Sequence, residues 1–216
     1  MEKESLTSKN KYELAQKAAD YLNHGYAIIF PTDTLYALGV DATSKDAINL
    51  FFSIKKRPVN KPAPIFVRDI KMAHSVAHID KRQEEILKKL WPGAFTVVLY
   101  KRDVISKKLT AQSDKIGIRI PDNEFTKLLL DTFKKPITSS SANISGMPAF
   151  MDIENILKQL KTNSALPEFV VSVGELKPNE PSTVVDITKN QPKILRINQT
   201  TLPKMQKVFE SLNIIK

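Results

Sequence analysis

Apolar residues in this chain come in short pieces with two different periods, and the order of those pieces limits the fold more than anything else in the sequence. Tyr26–Phe30, Ala63–Val67, Ala94–Tyr100, Ile116–Ile120, Pro136–Ser139, Glu168–Val173, Thr183–Ile187 and Lys193–Ile197 read as strands, short runs bounded by Pro, Gly or polar residues. Between them lie helical patterns. Residues 8–24 place Ala15, Ala18, Ala19 and Leu22 on one face, with Ser8 as N-cap and Gly25 as terminator. Ser44 caps a second helix with an inner face of Ile48, Phe51 and Phe52 that runs into Lys55. Asp69 and Asp80 cap two more, and Asp80 with Gln83 fits a capping box. Further helices are expected over Asp122–Phe133, near Asp152–Leu160 and from near Pro203, and Leu90-Trp91-Pro92-Gly93 is a turn. Strands and helices are interleaved without strict βαβ alternation. The expected class is therefore α/β: one large, open, twisted mixed sheet flanked by helices.

The bulk properties narrow the chemistry. A chain of 216 residues, 42% hydrophobic, suits a single domain spanning 1–216. There is no cysteine, which excludes disulfides, thiolate nucleophiles and cysteine-ligated metals. No apolar run approaches the ~20 residues that span a bilayer, and Met-Glu-Lys-Glu-Ser has no apolar core of a secretory signal. A cytoplasmic protein without a membrane partner is expected. The net charge of +10 favours anionic partners, or else reflects a lysine-rich solvated surface.

Three polar segments stand out. Residues 138–148, Thr-Ser-Ser-Ser-Ala-Asn-Ile-Ser-Gly-Met-Pro, gather hydroxyls, an amide and backbone N–H groups just after a strand, which is how proteins grip anions. Either Ser139, Ser141 and Asn143 line such a pocket, or the segment is an ordinary strand-to-helix connection in which Ser141 and Asn143 merely cap. The run Lys55-Lys56-Arg57-Pro58-Val59-Asn60-Lys61-Pro62 either complements a helix C-terminus or holds phosphate in a loop that its prolines stiffen. In the second case Arg57 binds two oxygens at once, and Lys55 and Lys61 act as point charges. In Pro31-Thr32-Asp33-Thr34, Thr34 is a candidate substrate contact, and Asp33 is otherwise an Asx turn. Arg119, within Ile116-Gly-Ile-Arg-Ile-Pro121, points either to solvent or into a cleft, where a carboxylate is its natural partner. Ser182 and Arg196 lie at strand ends, where ligands commonly bind. Pro178-Asn179-Glu180-Pro181 reads as a loop over a site. There is no Walker or dinucleotide glycine motif and no G-x-S-x-G. His24, His74 and His78 lie away from these segments, and no metal site is expected.

Taken in order, PTDTLYALGVDA, KKRPVNKP, LWPGAFTVVL, IGIRIP, SSSANISG, PSTVVD and ILR resemble the motifs of the YrdC-like family. The likeness runs from about Tyr12 to Arg196 and points to the short, single-domain form with a core of about 12–197. It implies a twisted open α/β sheet with a concave, positively charged face. It also implies L-threonylcarbamoyladenylate synthesis from ATP, L-threonine and bicarbonate, releasing pyrophosphate. The product passes to a separate transferase complex that modifies the adenosine at position 37 of tRNA. Mg2+ is expected with the substrate ATP and no cofactor is expected to be tightly bound. The competing reading is a tRNA or double-stranded RNA binding module without turnover.

Residue by residue, the resemblance places Lys55 and Arg57 on the family's K-x-R pair, and Ser141 and Asn143 on its S-x-N pair, as the catalytic set. It assigns ATP contacts to Arg57, Lys61, Lys115, Ser141, Ala149 and Arg196. L-Threonine contacts fall on Thr34, Phe66, Arg119, Ser139 and Ser182. The chain departs from the pattern in places. Ala37 stands where glycine is usual, Phe66 where some members have histidine, and Lys115 and Ala149 where many have hydroxyl residues.

Overall fold

The computed structural model of the protein describes residues 1–214. In chain order its elements are β1 (Glu2–Ser5), α1 (Lys11–Asn23), β2 (Ile28–Phe30), β3 (Ala37–Gly39), α2 (Lys45–Lys55), β4 (Ile65–Phe66), α3 (Ile70–Val76), β5 (Ala77–His78), α4 (Lys81–Leu90), β6 (Phe95–Lys101), β7 (Lys115–Arg119), α5 (Glu124–Phe133), β8 (Ile137–Thr138), β9 (Ser140–Ser141), α6 (Ile153–Leu160), β10 (Phe169–Ser172), β11 (Thr183–Asp186), β12 (Lys193–Arg196) and α7 (Leu202–Ser211).

Capping chemistry sets most helix starts. Ser44 accepts from the Ala47 N–H, Asp69 from Met72 and Asp152 from Glu154 and Asn155, each satisfying donors that the first turn leaves open. Asp80 and Gln83 form the full reciprocal capping box. Helix α1 differs from expectation. It starts at Lys11, because Thr7 and Asn10 close a polar turn in which Asn10 Oδ1 accepts from the Thr7 N–H at 2.8 Å. Helix α5 starts at Glu124, capped by Asn123, rather than at Asp122.

Where one large sheet was expected, the strands form two. One has five strands in the order β1-β10-β2-β3-β9, and the other runs β12-β11-β6-β7-β4-β8, with β5 beside β6. Both are mixed, and helices flank them. The division falls at a single residue. Strand β8 pairs with β4 and β9 pairs with β3, so the chain crosses from one sheet to the other at Ser139. The Ser139 N–H is tied to Pro64 O at 2.8 Å, and Thr138 N–H to Val40 O at 3.1 Å, so the seam is closed by main-chain bonds.

Alternation along the strands then divides the core. On β2 and β10, Ile28, Phe30, Phe169 and Val171 face the apolar stripes of α1 (Leu14, Ala18, Leu22) and α5 (Phe125, Leu129, Phe133). Ile29 and Val170 point the other way, into the larger core shared by both sheets with α2, α4, α6 and α7. The edge strand β1, too charged to be recognised from sequence, is held by Lys17, which bridges Glu2 and Glu4.

Gly39 lies where β2, β3 and β8 converge. A Cβ there would sit 2.5 Å from Phe30 Cε1 and 2.7 Å from Ile137 Cγ2. Both neighbours are fully buried and cannot yield freely. Gly39→Ala is therefore expected to destabilise the protein by about 1–3 kcal/mol, read by urea denaturation, whereas the same change at the open Gly146 should be governed by backbone strain alone.

Candidate active site

The seam between the sheets opens into a cleft of about 260 Å3 whose lining includes Thr34, Arg57, Phe66, Arg119, Ser139, Ser141, Asn143, Ala149, Ser182 and Arg196. Strand polarity explains this convergence. The register pairs Phe66 with Arg119 on parallel β4 and β7, and Thr183 with Phe95 on parallel β11 and β6, while β12 returns antiparallel to β11. The end of β7, the start of β11 and the end of β12 therefore lie together. The loop 31–36 joins the antiparallel strands β2 and β3 and enters the same space from the other sheet.

Arg119 is buried, and its guanidinium is bonded on all three nitrogens. Nε donates to Gly93 O at 2.9 Å, Nη1 to Thr34 Oγ1 at 3.1 Å and Nη2 to Asp33 Oδ1 at 2.5 Å. The Phe66 ring lies 5.7 Å from its Cζ and covers it as a cation–π partner. Thus Asp33 forms an ion pair rather than an Asx turn. Thr32, which sequence reasoning passed over, builds the loop: its hydroxyl donates to Leu35 O at 2.7 Å and accepts from the Thr34 and Leu35 N–H groups.

Ser139 sits at the crossing between sheets. Its hydroxyl is buried and has no hydrogen-bond partner. A buried hydroxyl left unpaired costs free energy, so the cleft favours a polar ligand atom beside it. On the far wall, Arg196 donates from Nε to Ser182 O at 2.8 Å and from Nη2 to Ser182 Oγ at 3.2 Å. Thr96, also absent from the sequence reading, completes that contact through its hydroxyl, 2.8 Å from Ser182 Oγ. Arg57 folds over its own loop, with Nε on Lys61 O at 3.1 Å and Nη2 on Pro62 O at 2.5 Å.

These cations are crowded. Burial pulls the Arg119 pKa below its ordinary value, and the neighbouring Asp33 opposes that pull. Arg196 is lowered by burial and then by the nearby charge of Arg119, and Arg57 by burial. Among the described residues Asp33 is the carboxylate that pairs with a guanidinium of the cleft. A bound polyanion would screen the repulsion and offset the cost of desolvation with opposite charge.

Three residues expected in the phosphate region stand elsewhere. Lys55 is almost fully buried at 1% exposure, and its ammonium donates to Ser141 O, to Asn143 O at 2.9 Å and to Asn143 Oδ1 at 3.1 Å. Burial first, and Arg57 second, bring its pKa down to about 7. It is a clamp behind the serine loop rather than a charge in the cleft. Ser141 Oγ and the Asn143 amide extend the clamp, with Ser141 donating to Asn143 Oδ1 at 2.6 Å and Asn143 Nδ2 to Met147 O at 2.6 Å. Lys61 is exposed and outside the lining. Lys115 begins β7 while Arg119 ends it, about 13 Å away at the rise of a strand. Its ammonium is held by Asp186 Oδ2 at 2.8 Å and Thr188 Oγ1 at 2.7 Å.

The clamp gives a direct test. Lys55→Met leaves the Asn143 carbonyl without a donor and removes a charged contact from Ser141 O and Asn143 Oδ1, which keep only the Asn143 N–H and the Ser141 hydroxyl. The expected loss is about 2–4 kcal/mol of stability by urea denaturation, with weakened binding in the cleft following from a loosened serine loop. A variant of normal stability would show that the ammonium does not hold the loop.

Comparison with known proteins places these features in context. The family model Sua5_yciO_yrdC, described as Telomere recombination, matches residues 20–197. A Pyrococcus abyssi protein named threonylcarbamoyl-AMP synthase is 30% identical over 198 residues, covering 91% of this chain and 57% of that one. A Bacillus subtilis protein of the same name is 29% identical over 211 residues, with coverages of 97% and 60%. The crystal structure of Pyrococcus abyssi Sua5 complexed with L-threonine superposes with a TM-score of 0.86 at 28% identity, covering 96% of this chain and 60% of the other. The chain thus spans somewhat under two thirds of the length of these relatives.

Proposed function

Because this chain belongs to the Sua5–YciO–YrdC family, we propose that it is an L-threonylcarbamoyladenylate synthase, a nucleotidyltransferase acting on ATP, L-threonine and bicarbonate-derived CO2. The observation that carries this reading is the cleft itself: it brings together one polar group around Arg119 and another around the serine loop, at the seam where the chain changes sheet. Such a reaction must hold a carboxylate and a triphosphate side by side, and the L-threonine complex of the Pyrococcus abyssi protein supports the amino-acid half.

In the proposed reaction the threonine nitrogen adds to the carbon of CO2 and loses a proton, giving a carbamate. A carbamate oxygen attacks the α-phosphorus of ATP, and the bond from that phosphorus to the bridging oxygen breaks, so that pyrophosphate leaves. No protein nucleophile is needed. Charge stays on oxygen throughout, so preorganised donors supply the catalysis. Arg119, Thr34, Ser139 and Ser182, with Phe66 as the apolar cover, are assigned to L-threonine. Arg57, Ser141, Asn143, Ala149 and Arg196 are assigned to the nucleotide. Lys55 acts by shaping the loop that carries Ser141 and Asn143. Mg2+ would come with the ATP phosphates; among the described residues no group of three or more His, Asp or Glu converges to hold a metal. A cytoplasmic setting and delivery of the product to a tRNA-modifying transferase belong to the same proposal. Among the described residues no helix is long and apolar enough to cross a membrane.

Incubation with ATP, L-threonine and bicarbonate should give threonylcarbamoyl-AMP and pyrophosphate by mass spectrometry, with turnover abolished by omitting either L-threonine or bicarbonate. Turnover indifferent to threonine would sink the reading, and salt-sensitive RNA binding without turnover would favour the RNA-binding alternative. Arg57→Ala should weaken binding of a non-hydrolysable ATP analogue by about ten- to a hundred-fold in isothermal titration, as expected for loss of a charge-assisted phosphate contact of ~1.5–3 kcal/mol.

A further inference from the structure

Asp33 faces two ways. Its carboxylate takes Arg119 Nη2 at 2.5 Å, and its backbone carbonyl accepts from Asn179 Nδ2 at 2.9 Å. The first contact fixes the guanidinium plane. Of the five N–H groups of Arg119, three are engaged, on Gly93, Thr34 and Asp33, which leaves one on each terminal nitrogen for a ligand carboxylate. Arg57 and Arg196 meet only carbonyl and hydroxyl oxygens, so of these three cleft arginines Arg119 alone is oriented by an opposite charge.

The second contact holds a strap. Gly174, in the left-handed region at φ 77°, turns the chain out of β10. The strap Glu175–Pro181 then crosses to the cleft, stiffened by Pro178 and Pro181, and Pro181 and Ser182 join its lining. Its far end is anchored by Asn198 Nδ2 on Glu180 O at 3.0 Å and by Gln199 N–H on the Glu180 carboxylate at 2.8 Å. Its middle is tied down at Asp33.

We infer that Asp33 is a positioning residue for the amino-acid half of the cleft, aiming Arg119 at a ligand carboxylate with its side chain and latching the strap Glu175–Pro181 over that ligand with its carbonyl. This rests on the proposed function, since it takes the carboxylate to be that of L-threonine. Substitution of Asp33 should then disturb amino-acid binding while leaving the nucleotide half alone.

Isothermal titration of wild type and Asp33→Asn with L-threonine, and separately with a non-hydrolysable ATP analogue, reads this directly. Asparagine keeps the size and an acceptor oxygen but removes the charge. The L-threonine Kd is expected to rise about ten- to a hundred-fold and the analogue Kd by less than about three-fold, and Asp33→Glu should recover part of the threonine loss. An unchanged threonine Kd, or equal losses for both ligands, would overturn the inference. Should Asp33→Asn not fold, Asn179→Ala cuts the exposed latch to Asp33, together with the local bond from the Glu180 N–H to Asn179 Oδ1. Faster hydrogen exchange confined to Glu175–Pro181 with a raised threonine Kd supports the inference, and no change in either overturns it. A wild type that binds no L-threonine defeats the proposed function itself, and the inference with it.

Discussion

The cleft depends on one buried charge. Lys55 ends helix α2 inside the protein, with its ammonium on oxygens from Ser141 and Asn143. A lysine without water needs acceptors, and these are main-chain and amide groups of the serine loop. The loop is consequently drawn against α2, which also binds it through the Ser145 N–H on Lys55 O at 2.7 Å. This fixes where Ser141 and Asn143 stand, and with them the side of the cleft assigned to the nucleotide. A residue that never faces the ligand thereby sets the shape that the ligand would meet.

Dividing the strands into two sheets has a comparable consequence. A continuous sheet satisfies its own main chain along its whole width and leaves no gap between strands. Here the chain changes sheet at Ser139, and the seam exposes the ends of β4, β7, β11 and β12 to the loop between β2 and β3. Binding at such a switch in strand order follows from geometry, because neighbouring connections diverge there and open a crevice. Ser139, with its unpaired buried hydroxyl, is the residue at which that divergence happens.

Electrostatics in the cleft is deliberately unbalanced. Arg57, Arg119 and Arg196 are partly or wholly desolvated, and Arg119 and Arg196 repel each other. Asp33 compensates Arg119 alone. The fold tolerates the remainder because each guanidinium is bonded to carbonyl or hydroxyl oxygens that fix its plane. Preorganisation of this kind removes much of the ordering cost from ligand binding.

Much was legible in the sequence because it rests on local chemistry. The Ser44, Asp69 and Asp80 caps, the apolar face of α2 and the longer strands between Tyr26 and Ile197 follow from neighbouring residues, and so does the identity of the serine loop and of Arg119 as polar residues in unusual places. Composition and motif order also pointed to the family. Direction and partnership were not legible. Nothing near Lys55 says that its three donors turn inward, nor that Lys115 lies a strand's length from Arg119 and pairs with Asp186. The strands β1, β3 and β9 are short, charged or glycine-containing, and they exist because of the strands beside them. Asp33 and Thr96 acquire their roles only when segments 60 or more residues apart are brought together, as Arg119 with Asp33 across 86 positions and Thr96 with Ser182 across the same span. Sequence determined which residues are costly to bury unpaired, and tertiary structure decided which of them pair with each other and which are left for a ligand, because that choice depends on strand register and polarity rather than on any residue's own preference.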